Sequence, residues 1–214
     1  MKTDLIQSEY VIMKLITASA SPYSRKVKAL LYETVQIDEV ELVQVKTSPV
    51  AVDPNVLAAN PLGKIPCLIR DNEPALYDSR VICRFLDART GGHFYPDRMI
   101  WDVLTIEATA DGILDSALSM VYEKRLRDEN AQSADWLKAQ WGKVQNGLAA
   151  LNTMWISHLN GQVHMGHIAV GCALGYLDFR LGAKNWRQGN EALAVWFDDI
   201  SKRKSFQKTE PYDP

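Results

Sequence analysis

Short apolar and alternating runs dominate the first part of the chain and predict a small mixed α/β unit. Residues 13–18 form an apolar run typical of a strand, and residues 39–45 alternate polar and apolar side chains as a half-exposed strand does. Residues 67–70 and 75–77 predict a hairpin around the turn at 71–73. Helices are predicted for residues 25–33, briefly within 47–59, and from Ser79 onward, where apolar side chains recur at helical spacing. The predicted order is β-α-β, then β-β-α.

The pattern changes after Leu86. Residues 90–97 contain glycine and proline and predict a linker, and no strand pattern follows it. Helical periodicity occupies residues 98–127, 134–159, 167–181 and 191–202. We therefore predict two domains, at residues 13–90 and 98–210. Residues 1–12 precede the first strand, and we expect them to be an extension with little structural role.

Composition and charge narrow the function classes. The chain has 214 residues, 47% of them hydrophobic and 23% charged, with a net charge of −2. This is typical of an ordinary globular protein and gives no overall field that favours nucleic acid or an anionic membrane. No apolar stretch is long enough to span a bilayer or to act as a secretory signal. The three cysteines, Cys67, Cys83 and Cys172, lie in apolar sequence, which favours buried, reduced thiols in a cytoplasmic protein over a disulfide or metal site.

The strongest candidate for chemistry is the tetrapeptide Ser-Pro-Tyr-Ser at residues 21–24, between the first predicted strand and helix. It resembles a dithiol redox loop, Cys-Pro-Tyr-Cys, in which oxygen replaces both sulfurs. A hydroxyl can donate or accept a hydrogen bond but cannot exchange disulfides. If this loop is an active site, the reactive sulfur must come from outside the protein. The alternative is that Ser21 only caps the helix, for which serine is a favoured residue.

Two further motifs follow in order: Asn-Pro-Leu-Gly-Lys-Ile-Pro at residues 60–66 and Leu-Tyr-Asp-Ser at residues 76–79. Together with the helical second half, the three motifs resemble the cytosolic glutathione transferases over essentially the whole chain from Met13. Segments 110–115, 173–180 and 205–211 are similar to a bacterial, serine-type subgroup. The resemblance implies a thioredoxin-like α/β N-terminal domain joined to an all-α C-terminal helical bundle.

The resemblance also implies the partners. Glutathione would be the co-substrate, without a metal, and a small hydrophobic electrophile would be the acceptor in a cytoplasmic detoxification enzyme. The protein would be a homodimer, and neither nucleic acid nor membrane is expected as a partner. Ser21 would be the catalytic residue, its hydroxyl donating a hydrogen bond to the glutathione sulfur. Lowering the pKa of that thiol by about two units requires roughly 2.7 kcal/mol, which a hydroxyl and a helix N-terminus can supply.

The other two motifs would bind glutathione. The resemblance implies a cis peptide bond between Ile65 and Pro66, which exposes the backbone of Ile65 to the cysteinyl backbone of glutathione. A trans proline at the start of a strand is the alternative. Ser79 would bind the γ-glutamyl carboxylate at a helix N-terminus and Asp78 the γ-glutamyl ammonium, unless the two residues only cap the helix. Lys64 would either bind the glycine carboxylate or remain solvated.

Four residues are candidates for the acceptor pocket between the domains. We expect Tyr23 to lie beside the cleft, and Asp111, Asp115 and Tyr122 to lie on neighbouring faces of the helix after the linker. The alternative for the two aspartates is an interdomain hydrogen-bonding pair or exposed acids. The basic cluster of residues 25, 26 and 28 is interpreted as a solvated helix face.

One position departs from the family pattern. Many relatives carry Ser/Thr-x-x-Asp as a capping box at the start of the buried helix of the second domain, where this chain has His164 and His167. A histidine is not expected to replace the carboxylate cap, so we expect this helix to start differently or to be less stable. A metal pair at these histidines is disfavoured because no third ligand is evident.

Three functions remain open at this point. The first is glutathione transfer to a small electrophile. The second is a glutathione-dependent peroxidase, reductase, dehalogenase or isomerase that uses the same site. The third is a non-catalytic, stress-associated binding protein of the same fold, which we would expect to have lost the motifs that this chain retains.

Overall fold

A four-stranded mixed sheet organises the N-terminal part of the computed structural model, which describes residues 13–213. Its order is β2-β1-β3-β4, with β1 parallel to β2 and the other two neighbouring pairs antiparallel. The predicted strands and hairpin are confirmed to within two residues at their ends, and residues 1–12 lie outside the described residues. The strands are β1 Met13–Thr17, β2 Val40–Gln44, β3 Cys67–Arg70 and β4 Glu73–Leu76.

Three helices belong to this part of the chain: α1 Pro22–Glu33, α2 Pro54–Ala59 and α3 Ser79–Arg89. At the start of each helix a side-chain oxygen accepts a backbone N–H of the first turn. The oxygen belongs to Ser21 for α1, to Asp53 for α2 and to Asp78 for α3. Such acceptors satisfy one of the free N–H groups that every helix start leaves.

The rest of the described chain is helical. A π-helical turn at Leu151–Trp155 interrupts the single helix predicted for residues 134–159. Helix α7 is buried on almost every face and packs along α4, so it forms the centre of the second core. The predicted architecture is therefore confirmed. The helices are α4 Ile100–Leu126, α5 Ala134–Ala150, α6 Ile156–Leu159, α7 Met165–Leu181, α8 Glu191–Ile200 and α9 Lys204–Gln207.

Helix α1 lies between the two halves and contacts α3, α7 and α9. The interpretation of its basic residues as a solvated face is wrong. Arg25, Lys26 and Lys28 are all buried, and Lys26 is fully inaccessible to solvent. The reason is that α1 is covered from both sides, so it has no broad solvent face on which these side chains could lie.

The start of α7 also differs from expectation. His164 Nδ1 accepts the N–H of Gly166 at 3.1 Å, and the N–H of His164 is donated to His167 Nδ1 at 3.2 Å. The two histidines therefore form a reciprocal capping box. The expectation that histidine cannot replace this cap was wrong because an unprotonated imidazole nitrogen is a hydrogen-bond acceptor.

The three cysteines, Cys67, Cys83 and Cys172, are free thiols and buried, as predicted. Among residues 13–213, none of the helices combines the length and the apolar character that a membrane crossing requires.

Candidate functional site

Ser21 lies at the mouth of α1, immediately after the turn that leaves β1. Its Oγ accepts the N–H of Ser24 at 3.2 Å, and its own N–H is donated to the carbonyl of Ala18. Ser21 is half-buried, and its backbone is extended, as an N-cap requires. The capping role uses only a lone pair, so the hydroxyl hydrogen is not consumed by the helix.

The peptide bond between Ile65 and Pro66 is cis, as predicted. The preceding turn is fixed by Asn60, whose amide donates to the carbonyl of Lys64 at 2.9 Å and whose side-chain oxygen accepts the N–H of Leu62 at 3.0 Å. Neither backbone polar group of Ile65 has a hydrogen-bond partner within residues 13–213. Both are therefore left to pair with an extended peptide. Lys64 is exposed.

The third motif forms the start of α3. Asp78 Oδ1 accepts the N–H of Arg80 at 3.0 Å, and Arg80 also forms an ion pair with Asp78 at 2.8 Å. Burial would raise the pKa of Asp78, but the hydrogen bonds from Arg80 outweigh it and hold the pKa below its ordinary value. Ser79 is buried at the first helical position. The N-terminal end of α3, at Ser79, is therefore suited to bind an anion. The ionised carboxylate of Asp78 lies next to it.

A buried ion pair connects α1 to α4. Lys26 Nζ contacts Glu107 at 3.0 Å and both carboxylate oxygens of Asp111 at 2.8 Å. Burial would lower the pKa of Lys26, but the two carboxylates raise it above its ordinary value, so the ammonium stays charged. Glu107 also accepts the hydroxyl of Tyr95 at 3.0 Å. Asp111 is thus an ion-pair partner of Lys26 between α1 and α4. Its contact with an acceptor substrate stays a prediction.

Tyr23 and Asp115 meet across the same boundary, where the tyrosine hydroxyl donates to the carboxylate. Burial raises the pKa of Tyr23, and the hydrogen bond to Asp115 raises it further, so the phenol stays protonated. Tyr176 of α7 lies near enough to add to this rise. Tyr122 is half-buried and lies near Tyr176. The predicted pocket residues Tyr23 and Asp115 are therefore in contact, with Tyr122 close to their common neighbour.

Sequence reasoning missed Lys26, Glu107 and Tyr95 as members of this region. A signal was present, because Glu107 and Asp111 are one helical turn apart on α4 and need a buried cation once that face is covered. Within residues 13–213 there is no group of three or more His, Cys, Asp or Glu side chains that could hold a metal ion.

Comparison with known proteins agrees with this geometry. Residues 15–94 match the model of the glutathione S-transferase N-terminal domain, and residues 134–199 match that of the C-terminal domain. The uncharacterized GST-like protein YibF of Escherichia coli is 31% identical over 93% of this chain and 98% of its own.

Solved structures extend the comparison. A glutathione transferase family member from Pseudomonas fluorescens, crystallised with glutathione, is 42% identical, with a TM-score of 0.92 over 94% of this chain and all of its own. A family member from the same organism with bound S-(propanoic acid)-glutathione is 41% identical, with a TM-score of 0.86 over the same shares. These matches, together with the cis Ile65–Pro66 bond and the cap at Ser21, show that the chain belongs to the glutathione S-transferase family.

Proposed function

We propose that this protein is a serine-type bacterial glutathione transferase that transfers the thiolate of glutathione to small hydrophobic electrophiles. The observation that carries the proposal is the hydrogen-bonding state of Ser21. Its oxygen accepts the N–H of Ser24 at 3.2 Å, which leaves the hydroxyl hydrogen to be donated to a sulfur at the mouth of α1. Cap and catalytic donor are thus compatible in one side chain.

The physical role of Ser21 is electrostatic. A free thiol resembles cysteine, with a pKa of about 8.5, so only a small fraction is ionised at neutral pH. A hydroxyl donor and the partial positive charge of the α1 N-terminus both favour the thiolate over the thiol. Glutathione would lose its thiol proton to water. The sulfur would then form a bond to the electrophilic carbon of the acceptor, which either expels a leaving group such as halide to solvent or, at an activated double bond, takes up a proton on the neighbouring carbon.

The rest of glutathione would be bound by the other two motifs. The free backbone groups of Ile65, exposed by the cis bond to Pro66, suit the cysteinyl backbone. The start of α3 at Ser79 suits the γ-glutamyl carboxylate, and the ionised Asp78 suits the γ-glutamyl ammonium. We assign the glycine carboxylate to the exposed Lys64. The two Pseudomonas fluorescens relatives, crystallised with glutathione and with S-(propanoic acid)-glutathione, support a glutathione site in this chain.

We place the acceptor pocket at Tyr23, Asp115 and Tyr122, with Asp111 at its base. The contact between Tyr23 and Asp115 across the domain boundary supports this placement. We also propose a division into domains at residues 13–90 and 98–210, a homodimeric assembly and a cytoplasmic location. Three buried, free cysteines favour a reducing compartment. Light scattering of the purified protein tests the dimer directly, and a monomer at micromolar concentration would contradict it.

The experiment that tests the catalytic assignment compares Ser21→Ala with Ser24→Ala. Both remove one hydroxyl at the start of α1, but the Oγ of Ser24 is buried and has no hydrogen-bond partner within the described residues. For Ser21→Ala we expect kcat/KM with a generic aryl halide to fall ten- to a thousandfold, about 1.4–4 kcal/mol. The thiolate absorbance of bound glutathione at neutral pH should fall with it.

Ser24→Ala should keep both activity and thiolate absorbance. If Ser21→Ala retains full turnover, the donor is another group, with Tyr23 the next candidate. Glutathione binding without turnover of aryl halides, peroxides or disulfides would instead favour the non-catalytic binding protein.

A further inference from the structure

The C-terminal end of α7 carries an arginine in an unusual setting. The Arg180 side chain is only 9% exposed, and its guanidinium forms a two-pronged ion pair with Asp213, at 2.7 and 2.5 Å. Asp213 lies in the tail that follows α9, and its side chain is 61% exposed. The guanidinium of Arg180 is therefore largely buried, whereas the carboxylate of Asp213 is mostly exposed to solvent.

Because only Arg180 is largely buried, another carboxylate can replace that of Asp213 in this ion pair. A largely buried guanidinium needs a carboxylate or a similar partner, because an unpaired buried charge is strongly destabilising. Asp213 remains largely exposed in the pair, so its carboxylate can return to water while an incoming carboxylate takes over the contacts with Arg180. A different carboxylate that reaches Arg180 can therefore take the place of Asp213 with a small penalty. The planar fork of arginine matches any carboxylate in two-pronged geometry.

Arg180 also adjoins the proposed acceptor pocket. It lies one helical turn after Tyr176 on α7, so the two side chains share a face. Burial raises the pKa of Tyr176 to about 12, and the charge of the Arg180 guanidinium opposes this rise. Tyr176 in turn adds to the raised pKa of Tyr23. Helix α1, which begins next to Ser21, packs against α7, so Tyr176 and Arg180 belong to a helix that lies beside the proposed acceptor pocket.

We propose that Arg180 recognises a carboxylate on the acceptor substrate, and that Asp213 occupies its fork when no such substrate is bound. The inference rests on the proposed glutathione transfer and names its substrate class: small electrophiles that carry a carboxylate. With an α,β-unsaturated acid, the thiolate forms a carbon–sulfur bond at the β-carbon and the double-bond electrons move to the α-carbon. The α-carbon then takes up one proton, which balances the proton that the glutathione thiol released. No oxidant or reductant is required.

Calorimetric titration with matched glutathione conjugates tests this without relying on turnover. S-carboxyethyl glutathione is compared with S-carbamoylethyl glutathione, which replaces the carboxylate by an amide of the same shape. A second pair with pentyl arms covers a greater distance to Arg180. In the unmodified protein we expect the carboxylate conjugate of at least one pair to bind about tenfold more tightly than its amide.

Variants of Arg180 and of Asp213 test whether this ion pair causes the preference for the carboxylate conjugate. Arg180→Met should bring the ratio of the two affinities close to one, with glutathione binding retained. Asp213→Asn should strengthen binding of the carboxylate conjugate by roughly three- to tenfold and leave the amide unchanged, because it removes the competing anion. If Arg180→Met does not fold, the Asp213→Asn result decides alone.

The chain offers a second two-pronged arginine–aspartate ion pair as a control. Arg187, in the segment after α7, pairs with Asp178 of α7 at 2.5 and 2.8 Å and lies over the rings of Trp186 and Phe197. Arg187→Met should leave the preference for the carboxylate intact. Equal affinities within both pairs, or a preference that survives Arg180→Met, would overturn the inference while leaving the proposed function standing. Failure of glutathione itself to bind would overturn both.

Discussion

The starts of α1 and α7 both have free backbone N–H groups, and different side chains bind them. Helix α1 begins at a half-buried serine that uses one lone pair for the cap and keeps its hydrogen. Helix α7 begins at two buried histidines that cap each other, each with one acceptor nitrogen used. The spare donor of the first start is half-exposed, where a ligand can reach it, whereas the Nε2 atoms of the two histidines are buried and have no hydrogen-bond partner among the described residues. Helix capping is thus compatible with either a functional site or a closed core, according to whether the group that the cap leaves unused is accessible.

The largest expected effect separates the two roles of Ser21. Ser21→Asp keeps the cap, because aspartate caps a helix as well as serine does, but it places a negative charge where the thiolate forms. We expect kcat/KM to fall by about a thousandfold, equivalent to about 4 kcal/mol, with the free energy of unfolding nearly unchanged. Urea unfolding and a conjugation assay measure the two quantities.

Ser21→Thr is the control for this change, since it keeps both the cap and the hydroxyl donor. It should retain activity to within about a factor of ten. Full turnover in Ser21→Asp would mean that the open start of α1 is not the source of thiolate stabilisation.

The histidine box predicts that stability falls in acid. Burial lowers the pKa of His164 from 6.5 to about 4 and of His167 from 6.5 to about 3. The folded state therefore binds fewer protons than the unfolded state, so stability is constant above the unfolded pKa and falls as the pH decreases from 6.5 toward the folded values. At pH 5 the loss is about 2 kcal/mol for each ring.

The groups around the box determine how far this effect extends. Besides burial, His158 of α6 lowers the pKa of His164 and Asp102 of α4 opposes it. The pKa of His167 is lowered by His164 and, to a smaller extent, by Arg203, and the backbone of Leu159 opposes this. The double variant His164→Ser/His167→Asp keeps a capping box but removes both imidazoles. Urea unfolding at pH 7.5 and pH 5 should show a much smaller difference between the two pH values in this variant than in the unmodified protein. An equal difference in both would place the acid sensitivity elsewhere.

The same two starts show what could be predicted from the sequence. The cap at Ser21, the cis bond at Pro66 and the start of α3 at Asp78 depend on neighbours a few residues away, and the motifs indicated them. The box at His164 is equally local, but it was missed because only carboxylates were considered as its acceptors. The prediction failed there because of the chemistry assumed for the capping side chain, and not because the two residues are far apart in sequence.

Distance along the chain explains the other errors. Lys26 was expected in solvent because its partners Glu107 and Asp111 are 81 and 85 residues away. Burial of α1 between the two halves is a property of the complete fold, so no local pattern around Lys26 reveals it. Arg180 and Asp213, 33 residues apart, were not identified as a pair for the same reason.

The third prediction concerns the second helical position, which differs between the two starts. In α1 it is Tyr23, whose side chain reaches Asp115, whereas in α7 it is Gly166. A Cβ on Gly166 would lie 2.8 Å from His164 Cε1 and from Ile106 Cγ2, closer than packed atoms approach. Gly166→Ala should therefore lower the free energy of unfolding by about 1–3 kcal/mol.

Gly142→Ala in the interior of α5 is the matched control. A Cβ there meets nothing within 4 Å, so the substitution should stabilise the protein by roughly 0.5–1 kcal/mol through helix propensity. Thermal or urea unfolding of the two variants measures both signs. A stabilising Gly166→Ala would mean that the start of α7 is less tightly packed than its contacts indicate.

The smallest expected effect is at the third helical position. Ser24 of α1 is fully buried, and its Oγ has no hydrogen-bond partner among the described residues, whereas the equivalent His167 of α7 completes the box. Removing a buried hydroxyl without a partner relieves its desolvation cost and leaves only a small void. Ser24→Ala should therefore change the free energy of unfolding by less than about 1 kcal/mol, whereas His167→Ala should cost more than that. If Ser24→Ala proves the more damaging of the two, the hydroxyl of Ser24 is engaged, and the start of α1 has fewer groups free for a ligand than its capping geometry indicates.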